Sequence, residues 1–185
     1  MKAYHLGIDF DNTIIAYDEL FHQLAVEREL IARDFFVDKV RIREHLCNKG
    51  QESDWTRLQG SAYGVRIKDA KLFSGVVNSL RRCRSLGIRV SVISHKTKAP
   101  IISDPGDPIV NLRDCALIWM HRQGLFAAGL LTPKSVYFEP TQEQKIARIQ
   151  SLECTHFIDD LPEVLAAIPA SSKIKKYCFD PCNRQ

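Results

Sequence analysis

The stretch Leu6-Gly7-Ile8-Asp9-Phe10-Asp11-Asn12-Thr13 decides how the rest of the chain is read. The apolar run Tyr4–Phe10 has the character of a short strand, and it ends in two acids at i and i+2. In a continuing strand both carboxylates would point to one face. A strand that stops between them turns the second acid toward the same point from another angle. One carboxylate is then placed to attack an electrophile and the other to move protons. Acids spaced this way also occur in solvated loops; the strand directly before them favours a site.

Working outward, further strand candidates are Ile88–Ile93, 135–138, 156–158 and 174–179. Helix candidates lie between them at Val76–Leu86, Leu112–Gln123, Gln142–Leu152 and Glu163–Ala167. Strands alternating with helices imply βαβ units and a parallel sheet, in which ligands bind beyond the carboxyl ends of the strands. Polar residues gather at those ends: Asp9 and Asp11, Ser94, Glu139, Asp159 and Asp160, and Asp180. The pattern predicts a single acidic edge.

Residues 17–70 differ in character. Apolar positions at helical spacing predict a helix over Glu19–Asp34 and a second over Val37–Leu46, stopped by Asn48-Lys49-Gly50. No strong strand run precedes Gly75. The expected division is a core of residues 1–16 and 71–185, with 17–70 a mostly helical insertion that acts as a lid or only completes the core. Lys96–Val110 holds Pro100, Pro105, Gly106 and Pro108, so an irregular loop is expected to leave the strand that ends at Ser94 and to overhang the acidic edge.

Composition narrows the function classes. The 185 residues are 45% hydrophobic and 26% charged, ordinary globular usage that excludes a disordered or collagen-like chain. A run of ~18 apolar residues, as a membrane-spanning helix needs, is absent, and so is the apolar stretch of an export signal; a cytoplasmic protein is expected. The net charge of +4 suits an anionic substrate. Basic residues at Arg81-Arg82-Arg84 and Lys173, Lys175 and Lys176 have no aromatic interleaving, which leaves nucleic-acid binding weakly supported. The cysteines Cys47, Cys83, Cys115, Cys154, Cys178 and Cys182 form no CxxC pair, so idle thiols are expected rather than a disulfide frame or a zinc site.

Individual residues carry their own arguments. Asp159 and Asp160 are adjacent acids that repel and need a cation or hydrogen-bond donors. With Asp9 they suit a hard divalent ion such as Mg2+. Either could instead cap the helix that begins at Leu161-Pro162-Glu163. Thr141-Gln142-Glu143-Gln144 reads as a capping box, which puts Lys145 in a first helical turn where the dipole disfavours a cation. An anionic partner nearby would explain that placement, and so would a solvated surface position. Ser94 and the His95 backbone N–H are donors for a phosphoryl oxygen, while His95 is either structural or in contact with a leaving group. Trp55, Arg57 and Tyr63 in the insertion suit either an anionic or ring-bearing substrate or packing within the lid. Lys96 and Lys134 are reserves for Lys145.

Asp9-Phe10-Asp11-Asn12-Thr13 resembles the first motif of the haloacid dehalogenase-like hydrolase superfamily. Ser94 after Arg89–Ile93, Lys145, and Phe157-Ile158-Asp159-Asp160 resemble its second, third and fourth motifs in order, and Phe73-Ser74-Gly75-Val76 resembles the lead into the helix before the second. The resemblance covers most of the chain apart from 17–70. It implies a three-layer α/β/α Rossmann-like core with sheet order 5-4-1-2-3 and a small helical cap. It further implies a Mg2+-dependent phosphatase in which Asp9 is the nucleophile and Asp11 the acid and base. Ser94 and Lys145 would hold the phosphoryl oxygens, with Asn12, Thr13, His95 and Lys96 beside the substrate. The metal would lie on Asp9, the Asp11 backbone carbonyl and Asp159, with Asp160 supporting. An acid at Asp11 points to phosphatases or phosphomutases rather than dehalogenases, and a cap at this point to a small substrate such as a sugar phosphate or nucleotide. A polynucleotide end-phosphatase and a non-catalytic phosphate- or partner-binding domain are the rival readings.

Overall fold

The computed structural model describes residues 4–181, so Met1–Ala3 and the expectations that touch Cys182 and the residues after it lie outside it. The chain runs β1 (His5–Ile8), β2 (Ile15–Ala16), α1 (Asp18–Glu27), α2 (Lys39–Asn48), α3 (Glu52–Tyr63) and β3 (Lys71–Leu72). It continues through α4 (Val76–Ser85), β4 (Arg89–His95), α5 (Leu112–Arg122), β5 (Val136–Glu139), α6 (Gln142–Ser151), β6 (His156–Asp159), α7 (Pro162–Ala167) and β7 (Lys175–Cys178).

Five strands form one parallel sheet in the order β5-β4-β1-β6-β7, which is the expected 5-4-1-2-3 read from the other side. From β1 the chain steps through β4 to β5, then returns past β1 to β6 and β7. Right-handed crossovers put the connections of these two series on opposite faces, which makes a three-layer α/β/α core. The direction reverses at β1, so the crevice beyond its carboxyl end is a topological switch point. The two-residue strands β2 and β3 make a separate small sheet.

Apolar residues of β4 and β6 bury the middle of the sheet against the helices. Ile93, Phe157, Ile149 of α6, Leu165 and Ile168 around α7, Cys154 and Ile174 form one buried cluster. Gly7 is required by this packing. A Cβ there would lie 2.6 Å from a ring carbon of Phe157 and 3.1 Å from Cys154 Sγ.

The chain separates into two compact units. Within the described residues the sheet unit comprises 4–15, 72–97 and 120–181, and the helical unit comprises 16–71 and 98–119. The expected division left 98–119 with the core; it belongs instead with the helices. The reason lies in α3: the backbone carbonyl of Ile102 comes so close to Gly60 that a Cβ there would sit 2.4 Å from it. Ser61 Oγ donates to Asp104 Oδ2 at 2.9 Å, and Arg28 pairs with the same carboxylate. The segment is irregular as expected, yet fastened to α3. A helix over Glu19–Asp34 is also corrected. α1 ends at Glu27 because Glu29 adopts φ 57° and the Leu30 N–H turns back to Ala25 O at 2.9 Å.

Among the described residues Cys47, Cys83, Cys115, Cys154 and Cys178 are free thiols. Burial raises the Cys154 thiol to about 11. No helix among these residues is long and apolar enough to cross a membrane.

Candidate active site

β1 is central, with ladders to β4 on one side and β6 on the other, and its pairing with β6 runs one step further: the Asp9 N–H donates to Ile158 O at 2.9 Å. Asp9 is therefore fixed at the switch point, 4% exposed. The next residues turn tightly. Ile14 and Ile15 N–H both donate to Phe10 O, and Asn12 takes the left-handed φ of 56°. Thr13 is buried by this turn, and its Oγ1 makes no hydrogen bond among the described residues.

Lys145 comes from the first turn of α6, whose N-terminus is capped by Thr141 accepting the Gln144 N–H. Its Nζ donates to Asp9 Oδ1 and to Asp159 Oδ2, both at 2.6 Å, and the side chain is 3% exposed. The anionic partner that offsets the helix dipole is thus a pair of carboxylates. Asp159 is fully buried at the end of β6, and its Oδ1 accepts the Leu161 N–H before α7, so it also serves the helix start. Asp160 Oδ2 accepts from Asn12 Nδ2 at 3.2 Å, tying the first and fourth motifs together.

Carboxylate oxygens of Asp9, Asp159 and Asp160 lie within 4.8 Å of one another. Asp11 stands apart from this trio, its carboxylate on the Lys96 ammonium at 2.9 Å. Counting Asp9, Asp11, Asp159 and Asp160 against Lys145 and Lys96 gives a formal charge of −4 + 2 = −2. Burial pushes the Asp9 carboxyl up, Lys145 pulls it back, and Asp159 and Asp11 push it up again, which leaves it at about 7. Burial likewise raises Asp159 against the pull of Lys145. For Lys145 burial works to lower the pKa, but Asp9 and Asp159 outweigh it and hold the ammonium above the usual lysine range. An all-oxygen donor set with two negative charges in excess fits a hard divalent cation.

Ser94, next to last in β4, is in register with Phe138 and is 1% exposed. His95 is exposed, and its Nε2 donates to Pro140 O at 3.0 Å, holding the turn that leads into α6. Glu139, expected at the acidic edge, turns instead to Arg148 of α6 at 2.7 Å. Trp55 and Arg57 belong to the helical unit. The Trp55 indole stacks on Phe21 with centroids 4.9 Å apart, and Arg57 pairs with Asp54 at 3.4 Å. Sequence reasoning did not find the Asn12–Asp160 tie or the partner of Lys96. The available signal was a lysine two residues beyond a buried strand end, where its charge needs an acid.

No protein-family model and no curated protein matches the chain. Among solved structures it is similar to a hydrolase from Streptococcus pneumoniae TIGR4, with TM-score 0.60 and 14% identity over 97% of this chain and 94% of that one. It is also similar to a Had-superfamily hydrolase from Ehrlichia chaffeensis, with TM-score 0.48 and 12% identity over 96% and 92%. A Had family enzyme from Bacteroides thetaiotaomicron aligns with TM-score 0.47 and 12% identity over 100% and 97%. At these identities the likeness is one of fold.

Proposed function

We propose that this chain, whose core has the haloacid dehalogenase-like fold, is a Mg2+-dependent phosphomonoester hydrolase that works through an aspartyl-phosphate on Asp9. The observation that supports this most is the buried Asp9–Lys145–Asp159 cluster with Asp160 beside it at the switch point of the sheet. Asp9, Asp159 and Asp160, with the backbone carbonyl of Asp11, are the residues that would hold the ion. When bound, it supplies positive charge for the phosphoryl oxygens.

Asp9 attacks phosphorus as the bond to the leaving alcohol breaks, and Asp11 gives that alcohol its proton. Asp11 then takes a proton from water as the water oxygen displaces Asp9 and frees orthophosphate. Lys145 and Ser94 face the transferred oxygens, where fixed donors count most. A small phosphorylated metabolite, a sugar phosphate or nucleotide, is the proposed substrate, because the helical segment is inserted between Asp9–Thr13 and Ser94.

The test is orthophosphate release from a panel of small phosphomonoesters with Mg2+ and with chelator. Asp9→Asn is expected to lower turnover at least ~10³-fold with the circular dichroism unchanged. Undiminished turnover in that variant defeats the assignment.

A further inference from the structure

Lys96 follows Ser94 by two residues at the exit of β4. Its backbone N–H donates to Glu139 O at 2.9 Å, so the strand pairing continues through it. Its side chain is 3% exposed, with Nζ 2.9 Å from Asp11 Oδ2 and 3.1 Å from Oδ1, and 5.6 Å from the centre of the Phe10 ring. A desolvated ammonium is held only where a charge or good acceptors meet it. Contact with both oxygens fixes how the carboxylate is rotated as well as where it lies. Asp11 sits in the turn at the end of β1, while Lys96 is anchored to the sheet.

We infer that Lys96 is a positioning residue that aims the Asp11 carboxylate, rather than a residue that binds substrate. The inference rests on the hydrolase reading above and deepens it. The two buried lysines of the site have separate tasks: Lys145 serves Asp9 and Asp159, and Lys96 serves Asp11. In the first step the Asp9 oxygen bonds to phosphorus, the P–O bond to the alcohol breaks, and the alcohol oxygen receives the Asp11 proton. In the second, a water oxygen bonds to phosphorus, the Asp9–phosphorus bond breaks, and Asp11 takes the proton that water loses. Water enters where the alcohol left, so one orientation of Asp11 serves both steps.

The consequence depends on the leaving group. A nitrophenolate leaves with little help from a proton, so its first step tolerates a misaimed Asp11; the second step never does. Lys96→Met is therefore expected to lower steady-state turnover of p-nitrophenyl phosphate about 100-fold, the scale of a small misplacement, while a burst of nitrophenol near one per site remains. With an alkyl phosphate the burst is expected to vanish as well. Burst and steady state falling together on p-nitrophenyl phosphate, or turnover equal to wild type, overturns the inference.

Crystal structures of wild type and K96M with Mg2+ and beryllofluoride read the orientation directly, whether or not either protein turns over. Asp11 turned away only in the variant supports the inference; the same orientation in both overturns it. Absence of turnover in the wild type, with Asp11 held by Lys96 in its structure, overturns the hydrolase reading alone.

Discussion

Asp9 and Lys145 show how burial and pairing divide the work of a charged site. The Asp9 carboxyl is raised to about 7, so its proton is held more tightly in the folded chain than in the unfolded one. The stabilising contribution is then fully present below pH ~4 and lost as pH rises through about 7. In chelator, the melting temperature of the wild type is expected to fall from pH 5 to pH 8 more steeply than that of Asp9→Asn. Equal slopes would contradict this. Lys145→Met leaves two buried carboxylates without their shared cation, and a loss of about 3–5 kcal/mol is expected, larger at pH 8 than at pH 5. Urea unfolding of the metal-free variant at both pH values measures it. Part of this site was legible in the sequence: Lys145 in a first turn left an anionic partner open beside a solvated position, the motif resemblance favoured the former, and Asp159-Asp160 needed a cation or hydrogen-bond donors. The pairing of Asp11 with Lys96 was not, since it depends on where a loop residue points after its strand ends.

At the scale of elements, strand legibility followed chemistry. The β-branched run in β4 and the acid-terminated run in β1 identify themselves, and the sheet order follows from the family likeness of four motifs. The end of α1 was obscured because Leu30 and Ile31 keep the helical spacing after Glu29 has already reversed the chain. α3 was obscured for the opposite reason. Gly60 and Ser61 lower its helix propensity, and they are there to receive Ile102 and Asp104. In β1, Gly7→Ala is expected to cost about 1–3 kcal/mol by overpacking against Phe157. Because the Lys145 ammonium lies 5.7 Å from the Phe157 ring centre, turnover should fall with it. Chemical denaturation with a paired activity assay checks both.

Across the whole molecule, the helical unit is stitched from two separated pieces of chain. Asp104 is the knot, accepting from Ser61 and Arg28 in one place. Asp104→Ala leaves Arg28, three-quarters buried, without its acid, and limited proteolysis is expected to cut within 98–111 several-fold faster than in the wild type. Unchanged cleavage would show that apolar contacts alone hold the segment. The backbone passes from one unit to the other at 15–16, 71–72, 97–98 and 119–120. A designer wishing to transplant the helices of another protein onto this sheet must therefore make two grafts, not one. Trimming 17–70 alone would take away Gly60, Ser61 and Arg28, against which Ile102 and Asp104 of 98–119 are held.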